Sequence, residues 1–324
     1  MDSGFLHRLE RRLGMGKPMV LRIGTRGSML AVAQSRWVKA RLEAKYPGIK
    51  CELVKIKTTG DKILDSPLSS IGGKGLFVKE IEDALLRKRV DLAVHSMKDV
   101  PSGLPEELML SGYPEREDPH DALVSARSRT LERLPQHSRV GTSSLRRGAQ
   151  LLRMRPDLDL QPLRGNIDTR IKKLESGEVE AIILAAAGLK RLGLESSITH
   201  IIPPEKMLPA VGQGALGLEV RRGDKETRHL LQFMNHEPTE VTIRAERAFL
   251  KELGGGCQVP IAGFARLHTN GIHIEGMVAE PDGSMLIRDK MAGDKSRAEE
   301  IGVTLAKRLL ASGADKILAR IYVQ

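Results

Sequence analysis

Three groups of residues carry side chains able to do chemistry. The first is a single sulfur, in Gly254-Gly255-Gly256-Cys257-Gln258-Val259-Pro260. A helical run ends at Leu253, three glycines strip side chains from the approach, and the proline stops further pairing. A cysteine in so bare a backbone is accessible as a thiolate nucleophile, whereas a structural one sits inert among bulky apolar neighbours. On these seven residues alone, a glycine-capped helix with an incidental cysteine is the slightly better explanation. The second group is Lys98 and Asp99, within Ser96-Met97-Lys98-Asp99-Val100-Pro101 and directly after the apolar run Val90–His95. In open α/β sheets ligands bind beyond the carboxyl ends of strands, which is where this pair projects. A carboxylate beside an ammonium in a basic cleft stays ionised and can stabilise a developing cation. A solvated loop carboxylate is the competing explanation. The third group is Arg26, Arg146, Arg147, Arg164 and Arg170, all at or just inside helix starts, among the hydroxyls of Ser28, Thr142 and Ser144. Free N–H groups and the helix dipole favour carboxylate or phosphate there, and the guanidinium fork suits a carboxylate better than a lysine does. A solvated surface position explains any one of these arginines, but not five at equivalent places.

These groups need a scaffold that brings strand ends and helix starts together. Leu21–Gly24 reads as a strand, followed by a helix with Leu30, Ala33, Trp37 and Ala40 on one face and then a strand over Cys51–Lys57, a βαβ opening. Gly72-Gly73-Lys74-Gly75-Leu76-Phe77 leads into a helix running to about Arg89. It lacks the Walker spacing, and a glycine-rich turn with a surface lysine explains it as well as ligand contact does. From Asp118 the pattern begins again. Asp121–Ser125 is strand-like, and Arg139-Val140-Gly141-Thr142-Ser143-Ser144-Leu145-Arg146-Arg147 repeats the strand, hydroxyl, helix order of Ile23–Leu30. Leu163–Arg170 forms another strand-to-helix turn with Asn166 as candidate N-cap, and Ala181–Leu184 is a buried strand. Pro209–Ala215, containing Gln213, reads as a return crossing into Leu216–Val220 that rejoins the first lobe, or else as a plain turn within the second. Past Gly223 come helices near Asp224–Asn235 and Val241–Leu253. Strands over Ile261–Leu267, Gly271–Ala279 and Met285–Lys290 follow, joined by the hairpin signals Asn270-Gly271 and Pro281-Asp282-Gly283, and then a helix of about Ser296–Ser312. Met1–Lys17 reads as a frayed tail.

Composition narrows the functional classes. The chain has 324 residues, 40% of them hydrophobic, enough for two or three domains with ordinary cores. No window approaches the ~20 apolar residues of a membrane span, and the N-terminus lacks the apolar core of a signal peptide, so the expectation is a cytoplasmic protein with no membrane partner. Two distant cysteines, with no C-x-x-C and no H-E-x-x-H, point away from a disulfide framework and from a metal site. A formal charge of +11 implies an acidic partner. One Trp, three Tyr and five Phe offer little for base stacking, so a small polyanion suits the charge at least as well as nucleic acid.

Taken in order, Gly72-Gly73-Lys74-Gly75, His95-Ser96-Met97-Lys98-Asp99-Val100-Pro101, Gly141-Thr142-Ser143-Ser144-Leu145-Arg146-Arg147, Leu163-Arg164-Gly165-Asn166 and Gly256-Cys257-Gln258-Val259-Pro260 closely resemble the porphobilinogen deaminase (hydroxymethylbilane synthase) family. The likeness runs from about Leu21 to the C-terminus. It implies an α/β fold with two lobes like those of type II periplasmic binding proteins and a small α+β domain with a three-stranded antiparallel sheet. The corresponding boundaries are a tail at 1–19, a first lobe at 20–114 and 215–235, a second at 115–214, and a cofactor-bearing domain at 236–324. The resemblance further implies a dipyrromethane primer held by Cys257 through a thioether. To it four porphobilinogens are added with loss of ammonia, and hydrolysis then releases a linear tetrapyrrole. It makes Asp99 the catalytic carboxylate, stabilising a cationic azafulvene and assisting proton transfer. Lys98, Ser96, Arg146, Arg147, Ser144, Thr142 and Lys74 become cofactor ligands. Arg26, Ser28, Arg164, Arg170, Arg191 and Gln213 become contacts of substrate and growing polypyrrole, with Phe77 covering the reacting rings. No metal and no nucleic acid take part, and the protein acts as a monomer. Ser70 stands where some relatives have lysine. The competing classes are a non-catalytic two-lobed binding protein for small anions, which has no use for Cys257, and a nucleic-acid binder.

Overall fold

The computed structural model describes residues 19–62, 75–126, 130–255 and 259–322. The chain opens with strand β1 (Met19–Arg26), helix α1 (Met29–Lys45) and strand β2 (Ile49–Ile56). β1 and β2 run parallel, from Met19 opposite Ile49 to Arg26 opposite Ile56. α1 covers them because Val38 and Leu42, one turn apart, meet Leu21, Ile23, Ile49 and Cys51 in one core. After a helical turn at Thr59–Lys62 come α2 (Lys79–Leu86), β3 (Leu92–Ser96), a 3-10 turn at Met97–Asp99, and β4 (Leu108–Gly112). α2 stops short of the expected Arg89, since Lys88 takes a left-handed φ of 56° that ends the helix.

The second sheet is made from β5 (Asp121–Ser125), β6 (Arg139–Gly141), β7 (Asp159–Gln161), β8 (Ala181–Ala185) and β9 (His200–Ile202), with helices α3 (Leu145–Met154), α4 (Ile167–Glu175) and α5 (Ala186–Arg191) between them. Its order is β7-β6-β8-β5-β9. The first sheet is ordered β2-β1-β3-β10-β4, where β10 (Leu216–Arg221) is the strand after the Pro209–Ala215 segment. The two sheets share one plan. In each, the strand second in the order, β1 or β6, pairs in parallel with both neighbours, and the fourth, β10 or β5, is an antiparallel strand reached by crossing from the other lobe. The Pro209–Ala215 segment is therefore a crossing rather than a local turn.

Beyond α6 (Lys225–Leu231), α7 (Glu237–Glu252) leads to the meander β11 (Ile261–His268), β12 (Gly271–Ala279) and β13 (Leu286–Gly293), then to α8 (Ala298–Leu309) and α9 (Asp315–Tyr322). Here α7 begins before the expected Val241, with Pro238 in its first turn where a missing N–H costs nothing. The expected single C-terminal helix is instead two, α8 and α9, with a kink between them at Gly313, which has φ 105°. Phe249 of α7 is fully buried against β11 and β12. A Cβ on Gly276 would lie 2.5 Å from its ring, so the sheet can pack this closely only through glycine. The fold class is thus two α/β lobes with five-stranded mixed sheets, plus an α+β unit with a three-stranded antiparallel sheet. No helix among the described residues is long and apolar enough to cross a membrane.

Candidate functional site

β3 ends where the first lobe meets the second. Its last residue, Ser96, turns toward α1 and accepts a hydrogen bond from Gln34 Nε2 at 2.9 Å. The chain then tightens into Met97–Asp99, whose position is fixed by the crossing segment. Met97 N donates to Ala215 O at 3.0 Å, and Gly212, with φ 74°, lies so close that a Cβ there would be 2.8 Å from Met97 Cβ. This turn presents Asp99, a part-exposed carboxylate with Oδ2 3.8 Å from Arg26 Nη1. Arg26 itself forks onto Asp61, with Nη2 to Oδ1 at 2.6 Å, and its guanidinium carbon lies 4.2 Å above the Phe77 ring. Gly60 admits that ring, since a Cβ there would lie 2.2 Å from it. Burial alone would raise the Asp61 pKa, but the hydrogen bonds and charge of Arg26 and the hydrogen bonds of Thr58 together outweigh it and hold the carboxyl below its usual range.

Across from this turn, the first turn of α3 delivers Arg146 and Arg147, both buried, onto one carboxylate. Asp121, the first residue of β5, accepts from Arg146 Nη1 at 2.7 Å and from Arg147 Nη2 at 2.7 Å, and also from Gln213 Nε2 at 3.0 Å. Arg146 Nη1 also donates to Leu208 O at 2.7 Å and Arg147 Nη1 to Ile183 O at 3.0 Å. Asp121 is wholly buried. Burial alone would raise its pKa, but the two guanidiniums outweigh that and hold it well below the usual carboxylate range. Burial, opposed by Asp121, lowers the pKa of Arg147. Lys98 faces both centres. Burial pushes its ammonium down, Asp99 and Asp121 push it up, and Arg147 and Arg146 add to the depression. Residues from opposite lobes therefore share one electrostatic environment, in which two carboxylates face a larger number of cations.

The remaining arginines extend that environment. Arg170 Nε donates to Gly165 O at 2.8 Å, and its pKa is lowered to about 10 by burial and then by Arg147 and Arg164. Arg164 has no hydrogen-bond or ion-pair partner among the described residues. Arg191 Nη2 donates to Gly214 O at 2.7 Å, on the second crossing segment, and burial lowers its pKa to about 10. Ser28 and Ser144 occupy equivalent places in the two lobes as N-caps of α1 and α3. Their hydroxyls accept from Ala31 N at 3.3 Å and Arg147 N at 3.4 Å, which leaves each hydroxyl proton to donate to a ligand. Thr142 is buried just before α3, with Oγ1 accepting from Ser144 N at 3.2 Å. Asn166 stands at the N-cap of α4 but makes no side-chain cap bond. Cys257, Lys74 and Ser70 lie outside the described residues.

Two groups at this site were not singled out from sequence. Asp121 was visible only as the start of a strand, and nothing local marks a strand residue as the partner of two arginines on a later helix. Asp61 had a weak local signal in Thr58-x-x-Asp61, where Thr58 Oγ1 donates to Asp61 Oδ2 at 2.7 Å. The arrangement can bind a molecule carrying several carboxylates through guanidinium, ammonium and hydroxyl donors. It also places the part-exposed carboxylate of Asp99 beside the Arg26 guanidinium.

Residues 21–229 match the family model described as porphobilinogen deaminase, dipyromethane cofactor binding domain, and residues 241–311 match that of the porphobilinogen deaminase C-terminal domain. The chain is 52% identical over 302 residues to the porphobilinogen deaminase of Geobacter sulfurreducens, covering 93% of this chain and 95% of that one. It is 54% identical over 303 residues to that of Syntrophobacter fumaroxidans, covering 94% and 98%. Among solved structures it is similar to the periplasmic aliphatic sulphonate binding protein SsuA from Escherichia coli. That match has 18% identity and a TM-score of 0.39, and covers 72% of this chain and 70% of that one.

Proposed function

The chain belongs to the porphobilinogen deaminase family, and from that premise we propose that Asp99 is its catalytic carboxylate and Cys257 the attachment point of its primer. The activity is that of a transferase in tetrapyrrole and heme biosynthesis. It joins four porphobilinogens, with loss of ammonia, into hydroxymethylbilane on a covalently bound dipyrromethane. The non-catalytic binding alternative is not favoured by relatives that are enzymes over nearly their full length.

Each pyrrole of primer and substrate carries an acetate and a propionate, so the donor set of the cleft has the right chemistry for it. Lys98, Ser96, Arg146, Arg147, Ser144, Thr142 and Lys74 would hold primer carboxylates. Arg26, Ser28, Arg164, Arg170, Arg191 and Gln213 would take those of the incoming and lengthening chain. When bound, the dipyrromethane supplies a nucleophilic pyrrole carbon fixed in the cleft. Asp99 accepts the pyrrole N–H of the substrate as ammonia leaves, stabilises the cation so formed, and then moves a proton from the coupled carbon. Arg26 Nη1 lies 3.8 Å from Asp99 Oδ2, close enough to orient that carboxylate. Phe77, whose ring lies under the Arg26 guanidinium, would cover the reacting rings. Domain limits at 20–114 with 215–235, 115–214 and 236–324 fit this division of labour, as does a cytoplasmic monomer needing no nucleic acid, membrane or metal.

The observation that carries this reading is the part-exposed carboxylate of Asp99 within a cleft of guanidiniums from both lobes. Asp99→Ala is expected to keep the fold and the primer but to lower turnover by about 10²-fold or more. Near-normal hydroxymethylbilane formation by this variant removes Asp99 from its role. Intact-protein mass spectrometry of the wild type should find two pyrrole units, absent from Cys257→Ser. A bare thiol in active protein overturns covalent priming.

A further inference from the structure

Outside the cleft, one cluster of buried titratable side chains has no part in the mechanism above. His95 of β3 and Glu219 of β10 are diagonal neighbours on adjacent antiparallel strands, with Nε2 to Oε2 at 2.8 Å and both side chains almost fully buried. Glu219 Oε1 is buried with no hydrogen-bond partner among the described residues, and so is Oε1 of Glu82 on α2, whose Ile81, Ala84 and Leu85 pack with Ala93, the β3 residue opposite Glu219. Two orphaned carboxylate oxygens in one apolar layer are costly if both groups are anions, and one proton between them satisfies both. We propose that Glu82 is a neutral acid in the folded protein and donates its proton in a hydrogen bond to Glu219 Oε1. The resulting Glu82–Glu219–His95 chain is then a positioning device for the strand end that presents Lys98 and Asp99.

The charges around the cluster favour this assignment. Burial, and then the charge of Glu219, push the Glu82 carboxyl up to about 7, with Asp83 on its own helix adding and His95 opposing. Of the other charged groups nearby, Arg221 of β10 is committed to Leu85 O, Val90 O, Asp91 and Asp224, and Arg22 of β1 is committed to Asp91. Arg26 is committed to Asp61. Arg247 of α7 is a further cation: burial lowers its pKa, and Tyr113 and then Glu219 oppose that. The placement gives the cluster its purpose. His95 lies immediately before the Met97–Asp99 turn, and Arg247 donates to the carbonyls of Pro101 at 2.9 Å and Ser102 at 3.2 Å immediately after it. Glu219 therefore addresses both flanks of the turn, and a second buried anion at Glu82 would disturb that balance. The protonation state stands apart from the activity. Its consequence for turnover rests on the function proposed above.

The test is an infrared difference spectrum of the holoenzyme between about pH 6 and about pH 8, compared with Glu82→Gln, which keeps shape and donor but cannot titrate. The wild type should lose a protonated-carboxyl C=O band that E82Q lacks at both pH values. A spectrum identical in the two proteins overturns the proposal. In turnover assays E82Q should hold kcat within about twofold, whereas Glu82→Leu, which orphans Glu219 again, should lower kcat roughly tenfold with KM unchanged. Wild-type kcat in E82L overturns the positioning role, and if E82L does not fold, the infrared result still decides the protonation state. Failure of tetrapyrrole synthesis in the wild type would sink the function but leave that spectrum intact.

Discussion

Asp121 determines what Arg146 and Arg147 can do. Two guanidiniums share one buried carboxylate, so the trio presents a net positive charge in fixed orientation rather than two loose cations. Asp121→Ala would strand both, and is expected to cost about 3–5 kcal/mol in denaturant unfolding. The pH dependence follows from the sign of the shift. The folded pKa of Asp121 is depressed below its ordinary 3.8, so the stability it contributes is fully present above that value and is lost as pH falls below it. Melting temperatures measured from pH ~6 down to pH ~2 should fall less steeply in Asp121→Asn than in the wild type. Asp99, Lys98 and the arginines were legible because motif and strand-end position mark them locally. Asp121 was not, because its meaning comes from partners 25 and 26 positions away.

Among the elements, the crossing segment and the Met97–Asp99 turn form one unit. Gly212 combines a left-handed φ of 74° with an approach that leaves no room for a Cβ against Met97. Gly212→Ala should therefore strain the backbone by roughly 1–2 kcal/mol and displace the turn carrying Asp99. The expected readout is a fall in kcat on the order of tenfold, larger than any change in KM, and wild-type kcat would show that the turn tolerates the shift. Most elements were readable from hydrophobic period and caps. β4 and β9 were not, being short edge strands whose pairing partners, rather than their own pattern, make them strands. The early start of α7 was missed because a proline in a first turn resembles a helix stop.

The three bodies meet at Glu246. This wholly buried carboxylate of α7 accepts from Arg116 Nη1 at 2.6 Å, from Gly212 N at 2.7 Å and from Ala265 N at 2.8 Å, so it joins both crossing segments to the C-terminal sheet. Glu246→Ala leaves Arg116 without its carboxylate partner and two backbone donors unpaired. A loss of about 3–5 kcal/mol is expected, and calorimetry should show the C-terminal unit melting separately from the lobes. A single unchanged transition would mean that apolar packing alone couples them.

The amino-acid sequence by itself determined the α/β plan, its internal repetition, the order of the family's motifs and the identity of the reactive candidates. These depend on contiguous residues: strand and helix periods, glycines at turns, and hydroxyls before helices. Only the tertiary structure decided which charges are paired and which remain available. It set Asp121 against two arginines, Glu246 against Arg116 across 130 positions, and His95 against Glu219 across 124. The physical reason is that the strength of a charge depends on its burial and its neighbours. Both are fixed by long-range packing that no local stretch of chain encodes.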